Sequence, residues 1–270
     1  MERRTFLETM VGAAFLPRAL TGLSLEDFLH EPRRYLTAWA TTPTRELVPP
    51  ALGCLWLAEA SGSDQAACEA SILLAWLAYD LGEDARMRQH YLEAASYASA
   101  SRGDSAQLLT YALLSWAQDT NDGPAAARLV EQARATLPDD APPALRQYVN
   151  KEGALAWSKV GDSPRATDAL ARLEPAEPAW PLVFSIGEST VARSHGLVAF
   201  RLGRSDTALP LLRQKLEAYG TEPNKHKAYV MEELGRAYRQ AGDHEQARQL
   251  VAEAREIGGK LGLRRLSTAS

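Results

Sequence analysis

Glu233-Leu-Gly-Arg-Ala-Tyr-Arg-Gln-Ala-Gly-Asp-His-Glu-Gln-Ala247, followed seven residues on by Ala254, is the stretch from which the architecture can be read. Take Gly242 as a turn. Leu234 and Gly235 precede it by 8 and 7 positions and Tyr238 by 4, while Ala247 and Ala254 follow by 5 and 12. These spacings fit a helix running into a Gly turn and a second helix running out. The small residues on either side of the turn fall where two antiparallel helices would cross, and only Gly, Ala or Ser lets the backbones approach closely.

The same template fits around Gly82, Asn121, Gly161 and Gly203, so the anchors recur at 39, 40, 42 and 39 residues. Leu74, Ala75, Ala78 and Ala94 surround the first anchor, with Met87 where Ala is expected; Leu113, Ala117, Ala126 and Ala133 surround the second. Ala154, Trp157, Ala166 and Leu170 follow for the third, and Gly196, Ala199, Ala208 and Leu212 for the fourth. Leu-Gly, then Tyr, a turn Gly and two Ala resembles the tetratricopeptide repeat, whose usual period is ~34 residues. The longer period here predicts helices extended by about a turn.

Helix punctuation agrees. Gly161-Asp-Ser163-Pro164 places a capping Ser before Pro, and Asp122-Gly123-Pro124 does the same one unit earlier. Pro143, Pro181 and Pro223 are expected to open the next first helices, and Ser24 with Asp27 to form a capping box. The reading is all-α: a tetratricopeptide-like antiparallel helix-pair superhelix, an α-solenoid of about twelve helices. They are expected over residues 24–40, 44–60, 64–81, 84–101, 104–120, 124–137, 142–160, 164–173, 180–202, 205–219, 224–241 and 244–262. Residues 1–23 read as a linker or leader, 24–262 as the repeat domain and 263–270 as a flexible tail.

Composition points the same way, with 46 Ala against 3 Ile and 10 Val, so helix formers abound and sheet formers are scarce. Net charge is −4; residues 1–135 carry 11 Arg and 17 acids, residues 136–270 carry 19 bases and 17 acids. That balance lacks the basic footprint of a nucleic-acid binder, and no direct nucleic-acid binding is expected. Cys54 and Cys68 match no zinc spacing and read as small buried hydrophobes. No run of apolar residues reaches the ~18 that a membrane span needs.

From Glu2 to about Leu137 the chain resembles the ligand-sensing half of actinobacterial regulators of the XRE class. The residues that carry this are Arg3-Arg4-Thr-Phe6-Leu7 with Gly12-Ala13-Ala14, then Trp76-Leu-Ala-Tyr79-Asp80-Leu-Gly82 running on to Tyr91-Leu-Glu-Ala94. Such regulators carry a helix-turn-helix ahead of this linker, and Met1 stands where the linker begins. The resemblance implies a cytoplasmic sensor or adaptor half without its own DNA reader. The same Arg-Arg-x-Phe-Leu also resembles a twin-arginine export signal, although Glu8 and Arg18 interrupt the apolar stretch and Thr21-Gly22-Leu23 is a poor cleavage site. The alternative is therefore an exported helical-repeat protein with an extracytoplasmic assembly role.

No reaction can be read from the chain. Asp119-Thr-Asn121-Asp-Gly123 brings Gly too early for a calcium loop, and Gly258-Gly259-Lys260 lacks the first Gly and the Ser or Thr of a phosphate loop. The expectation is a non-enzymatic binding module with neither metal nor cofactor. In the repeat template the first-helix positions 13, 10, 6, 3 and 2 before each anchor face the groove. They supply Trp76, Tyr79, Asp80, Tyr111, Asp119, Tyr148, Lys151, Arg193, Phe200, Arg201, Tyr229, Arg236 and Arg239. Aromatics flanked by Arg compose a binding hot spot, and the acidic-to-basic gradient would orient an extended peptide with its acidic end or carboxylate toward the later units. The partners implied are a protein or peptide, or a small-molecule signal, with homodimer formation a further option. The alternative for these residues is that the aromatics fill between stacked helices and the Arg residues form a solvated face.

Overall fold

A computed structural model describes residues 25–268 apart from 104, 182 and 183. The Arg3-to-Leu7 stretch and the Ser24 cap lie outside these residues. Thirteen helices occupy the described chain: α1 Leu25–Ala38, α2 Thr44–Ser61, α3 Asp64–Asp80, α4 Asp84–Ala100, α5 Ser105–Asp119, α6 Gly123–Thr136, α7 Pro143–Lys159, α8 Ser163–Ala171, α9 Glu188–Arg201, α10 Ser205–Glu217, α11 Lys225–Gln240, α12 His244–Leu261 and α13 Arg264–Thr268. From α3 onward they pair as the repeat register requires, α3 with α4 through to α11 with α12. The chain is an all-α helical-repeat solenoid. Among the described residues no helix is long and apolar enough to cross a membrane.

The turns form for the reasons the sequence offers. Gly82 and Gly242 take φ of 73° and 89°, a left-handed conformation that strains any residue with a Cβ. Asp122, Asp162 and Asp243 then cap the second helices by accepting from the backbone N–H three residues on. The cap before Pro164 is thus Asp162 rather than the expected Ser163, which is already the first helical residue. At the crossings, the alanines that the register singles out (Ala75, Ala94, Ala126, Ala154, Ala208, Ala237, Ala254 and their equivalents) are buried. A Cβ on Gly235 would lie 3.0 Å from Val251 Cγ2 and 3.2 Å from the Ala247 carbonyl, which is why Gly stands there. One continuous apolar core runs from Leu36 to Ala254.

Three features depart from expectation. The ninth helix begins at Glu188, not near 180, because Pro178 and Pro181 deny the preceding segment its helical hydrogen bonds. The described residues of 172–187 form a loop instead, pinned where Ala176 and Ile186 exchange backbone hydrogen bonds of 2.9 Å. The tail is not free: α13 turns back after Gly262 and buries Leu263 and Leu266 near Leu261 and Ala228.

Third, the stack closes on itself. The Lys225 N–H at the start of α11 donates to the Ala40 carbonyl ahead of α2 at 2.7 Å. Thr44, the first residue of α2, has its Oγ1 3.2 Å from the carbonyl of Leu261, the last residue of α12. Arg265 of α13 donates to the Tyr79 carbonyl at 2.9 Å and pairs with Asp84. The earliest and latest described units are therefore neighbours, and the first helices face a common interior.

Candidate functional site: the inner face

The first helices α3, α5, α7, α9 and α11 carry their template positions inward, and closure makes these side chains meet one another. Asp80 is fully buried. Its Oδ2 accepts from Trp39 Nε1 at 2.9 Å, Thr44 Oγ1 at 3.0 Å and Lys225 Nζ at 2.9 Å, and its Oδ1 accepts from the Tyr229 hydroxyl at 2.8 Å. Trp76 packs against Trp39 with centroids 5.4 Å apart, and Tyr79 lies 5.9 Å from Tyr229 beneath the Arg265 guanidinium. Tyr111 and Tyr148, both fully buried, lie 6.1 Å apart, and Phe184 of the 172–187 loop meets Tyr148 edge-on at 5.4 Å. Trp180 from the same loop lies 5.7 Å under Arg33, whose guanidinium pairs with Glu69.

The expected open groove is therefore largely filled at its acidic end. Asp80, Tyr111, Tyr148 and Lys151 are enclosed because the inner radius is small enough for aromatics of successive units to touch across it. Asp119 is likewise buried and accepts from the Tyr91 hydroxyl at 2.5 Å; burial pushes its carboxyl up to about 7. Lys151 bonds Glu152 at 2.5 Å and Gln118 at 3.2 Å, and lies 4.8 Å over the Tyr148 ring.

The later units differ. Arg193 makes a two-pronged pair with Glu233, with Nε to Oε2 at 2.9 Å and NH2 to Oε1 at 2.5 Å, while a quarter of its side chain stays accessible. Lys215, from the second helix α10, donates to Ser189 Oγ at 3.1 Å and sits 5.0 Å over Tyr219. Burial, then Arg193 and Lys151, hold its ammonium down at about 8. His226 packs edge-on against Trp39 at 5.0 Å yet remains exposed to solvent. Its seat in the concavity, then the positive charges of Arg193, Lys215, Lys151 and Lys225, hold the imidazole below its ordinary value, so it is neutral at physiological pH. Charges strong enough to shift one another share one electrostatic neighbourhood.

Arg201 turns away from this group, donating to the Leu155 carbonyl at 2.8 Å and to Ser158 at 3.3 Å, and Phe200 packs half-buried on the core. Arg236 pairs with Glu232 on its own helix at 2.7 Å and stays more than half exposed. With Arg239 and Arg255 it lines a small pocket, about 30 Å³, beside α13. The structure thus joins Asp80 to Tyr229, Tyr79 to Tyr229, Tyr111 to Tyr148 and Tyr148 to Lys151, while Arg236 and Arg239 stand apart.

Lys215, Lys225, His226, Glu233, Trp39 and Arg33 belong to the inner face and were not among the expected positions. A signal for two of them existed. Periods of 39–42 residues imply longer helices, and one extra turn before the first groove position of the last unit arrives at Lys225 and His226. Among the described residues no group of three His, Cys, Asp or Glu is placed to hold a metal ion.

A family model for the tetratricopeptide repeat matches residues 188–258, which cover α9 through most of α12. Among solved structures the chain is similar to the crystal structure of BtubC (BKLC) from P. vanneervenii, at 18% identity and a TM-score of 0.46 over 89% of this chain and 93% of that one. No curated protein matches the chain. Helical repeats of the tetratricopeptide class are in general scaffolds whose concave surfaces bind partner proteins, and the match covers the last two repeat units of this chain.

Proposed function

We propose that this protein is a non-enzymatic binding module that captures an acidic segment of a protein or peptide partner at the later, basic part of its inner face, in a regulatory role. The observation that carries this is the convergence of Arg193, Lys215 and His226 from three successive helices, all still reachable by solvent, beside an earlier part of the same face that is already packed. Lys215 has only hydroxyl and aromatic partners in the hydrogen bonds and ring contacts of the described residues, so its charge is uncommitted to an acid. Aromatic neighbours Trp39 and Tyr219 supply apolar contact beside the charge, the composition of a hot spot.

The test is selection from a random decapeptide display library. The wild-type protein enriches acidic peptides, and Lys215→Glu/His226→Glu loses that enrichment while keeping its helical circular dichroism. Undiminished acidic enrichment in the double variant, or none in the wild type, overturns the reading. Arg236→Glu/Arg239→Glu serves as the second arm. A loss confined to that pair relocates binding to the pocket beside α13 and equally overturns the inner-face assignment.

A further inference from the structure

Among the second helices of the repeats, α8 is the short one: 9 residues, against 17 in α4, 14 in α6, 13 in α10 and 18 in α12. At 1.5 Å per residue it ends roughly 6–13 Å before its counterparts do. Thr167, Leu170 and Ala171 at the end of this short helix face the seam between the third and fourth units. A cleft of about 280 Å³ lies between α8, α9 and α10, and its lining includes neither Lys215 nor His226.

Its walls are aliphatic. Val198 and Ala199 are buried at the base, and Leu170, Leu202 and Leu211 stand half-buried around them. Its polar groups are few: the His195 imidazole, the Thr167 and Thr207 hydroxyls and the Arg204 guanidinium. Among the described residues none of these side chains has a hydrogen-bond or ion-pair partner, whereas the nearby Ser194, Ser205 and Asp168 each have one. Arg204 is exposed and lies where α9 turns into α10, so the cleft has an apolar floor and one uncommitted cation at its edge. A volume of 280 Å³ equals about nine water molecules at ~30 Å³ each, which fits an organic molecule of on the order of ten non-hydrogen atoms. Apolar walls with a small number of convergent polar groups are the usual make-up of a small-molecule site.

We infer that this cleft binds a small aliphatic carboxylic acid, its hydrocarbon body against Leu170, Val198, Leu202 and Leu211 and its carboxylate toward Arg204 and His195. Its lining shares no residue with the group of Arg193, Lys215 and His226, and it does not depend on the function proposed for that group. Burial holds the His195 imidazole below its ordinary value, so at neutral pH it is an uncharged ring that can donate one hydrogen bond without the expense of desolvating a cation.

The probes are octanoate and octan-1-ol, which share a hydrocarbon body and differ in the head group, followed by ¹H–¹⁵N chemical-shift titration of the full chain at pH 7. Octanoate is expected to bind saturably, moving the amides of Leu170, Leu202 and Thr207, and about five-fold more tightly than the alcohol, the equivalent of about 1 kcal/mol. Arg204→Gln brings the two probes within two-fold of each other. Ala171→Phe, on an exposed position of α8 facing the cleft, fills it and abolishes both. The absence of saturable shifts with wild-type protein, or octanoate binding that survives Ala171→Phe, overturns the assignment. A Lys215→Glu/His226→Glu chain that loses peptide enrichment but keeps octanoate binding separates the two sites.

Discussion

Replacing Lys225 by Met tests the closure of the stack where it is most exposed to refutation. The ammonium of Lys225 and the carboxylate of Asp80 are both fully buried at 2.9 Å, and Lys225 Nζ also donates to Thr44 Oγ1 at 2.9 Å. Met keeps the length and apolar stem of Lys but removes the charge, so Asp80 is left as a buried carboxylate without a cation. Breaking a buried pair from one side costs about 3–5 kcal/mol. Three donors remain on Asp80, from Trp39, Thr44 and Tyr229, and each such bond to a charged group is worth about 1.5–3 kcal/mol. They keep the cost near the lower end, about 3 kcal/mol. At ~2–4 °C per kcal/mol for chains a little shorter than this one, the melting temperature should fall by roughly 6–12 °C. Thermal denaturation by circular dichroism measures that. The paired variant Asp80→Asn/Lys225→Met places a neutral amide opposite a neutral thioether and should recover part of the loss, giving a coupling energy in a double-mutant cycle. Melting of Lys225→Met within 2 °C of wild type, or strict additivity in the cycle, would refute the claim that this pair holds the earliest and latest units together.

Two further outcomes are expected. Gly235→Ala and Gly259→Ala are the same chemical change within helices, with opposite signs: at Gly235 the new Cβ meets Val251 and the Ala247 carbonyl, at Gly259 it meets open space. Chemical denaturation should show Gly259→Ala stabilised by about 0.5–1 kcal/mol from helix propensity, and Gly235→Ala destabilised by about 1 kcal/mol once overpacking outweighs that gain. Equal shifts would remove the packing reason for Gly235. The second concerns pH. Asp119 is raised to about 7 in the fold and titrates near ~3.9 when unfolded, so the native state holds the extra proton between those values. Its contribution is fully present below pH ~4 and is lost as pH rises through 7. Asp119→Asn should flatten the pH dependence of stability between pH 4 and 8, and a slope equal to that of wild type would contradict the assignment.

The repeat register was legible because it rests on local rules. Gly242 and Gly82 punctuate, Asp122 caps, and Ala247 and Ala254 mark a crossing 5 and 12 residues past the turn. Closure was not legible, since the rotation between successive units accumulates from many small packing angles and no single motif encodes the sum. Asp80 and Lys225 are 145 positions apart, and neither one's neighbours announce the other. For the same reason the aromatics at Tyr111 and Tyr148 were expected to line a groove, whereas a narrow interior presses them together. Pro181 reads as a first-turn proline, which sets the expected start of the ninth helix at 180, eight residues too early. With Pro178 just ahead of it and Gly187 just after, the segment could not hold a helical ladder, and Ile186 pairs with Ala176 instead.

The contact between Thr44 and Leu261 also bears on how the molecule comes together and apart. Linear repeat arrays resemble a ladder: each rung touches its neighbours, folding can begin anywhere, and the outermost rung frays alone. Joining residues 217 positions apart turns the ladder into a hoop. The outer rungs acquire a second neighbour, and the entropy of bringing distant parts of the chain together must be met before that contact returns anything. A hoop of short-range pairs thus assembles in two tempos, fast within each helix pair and slow at the join, and once joined it opens less readily one unit at a time.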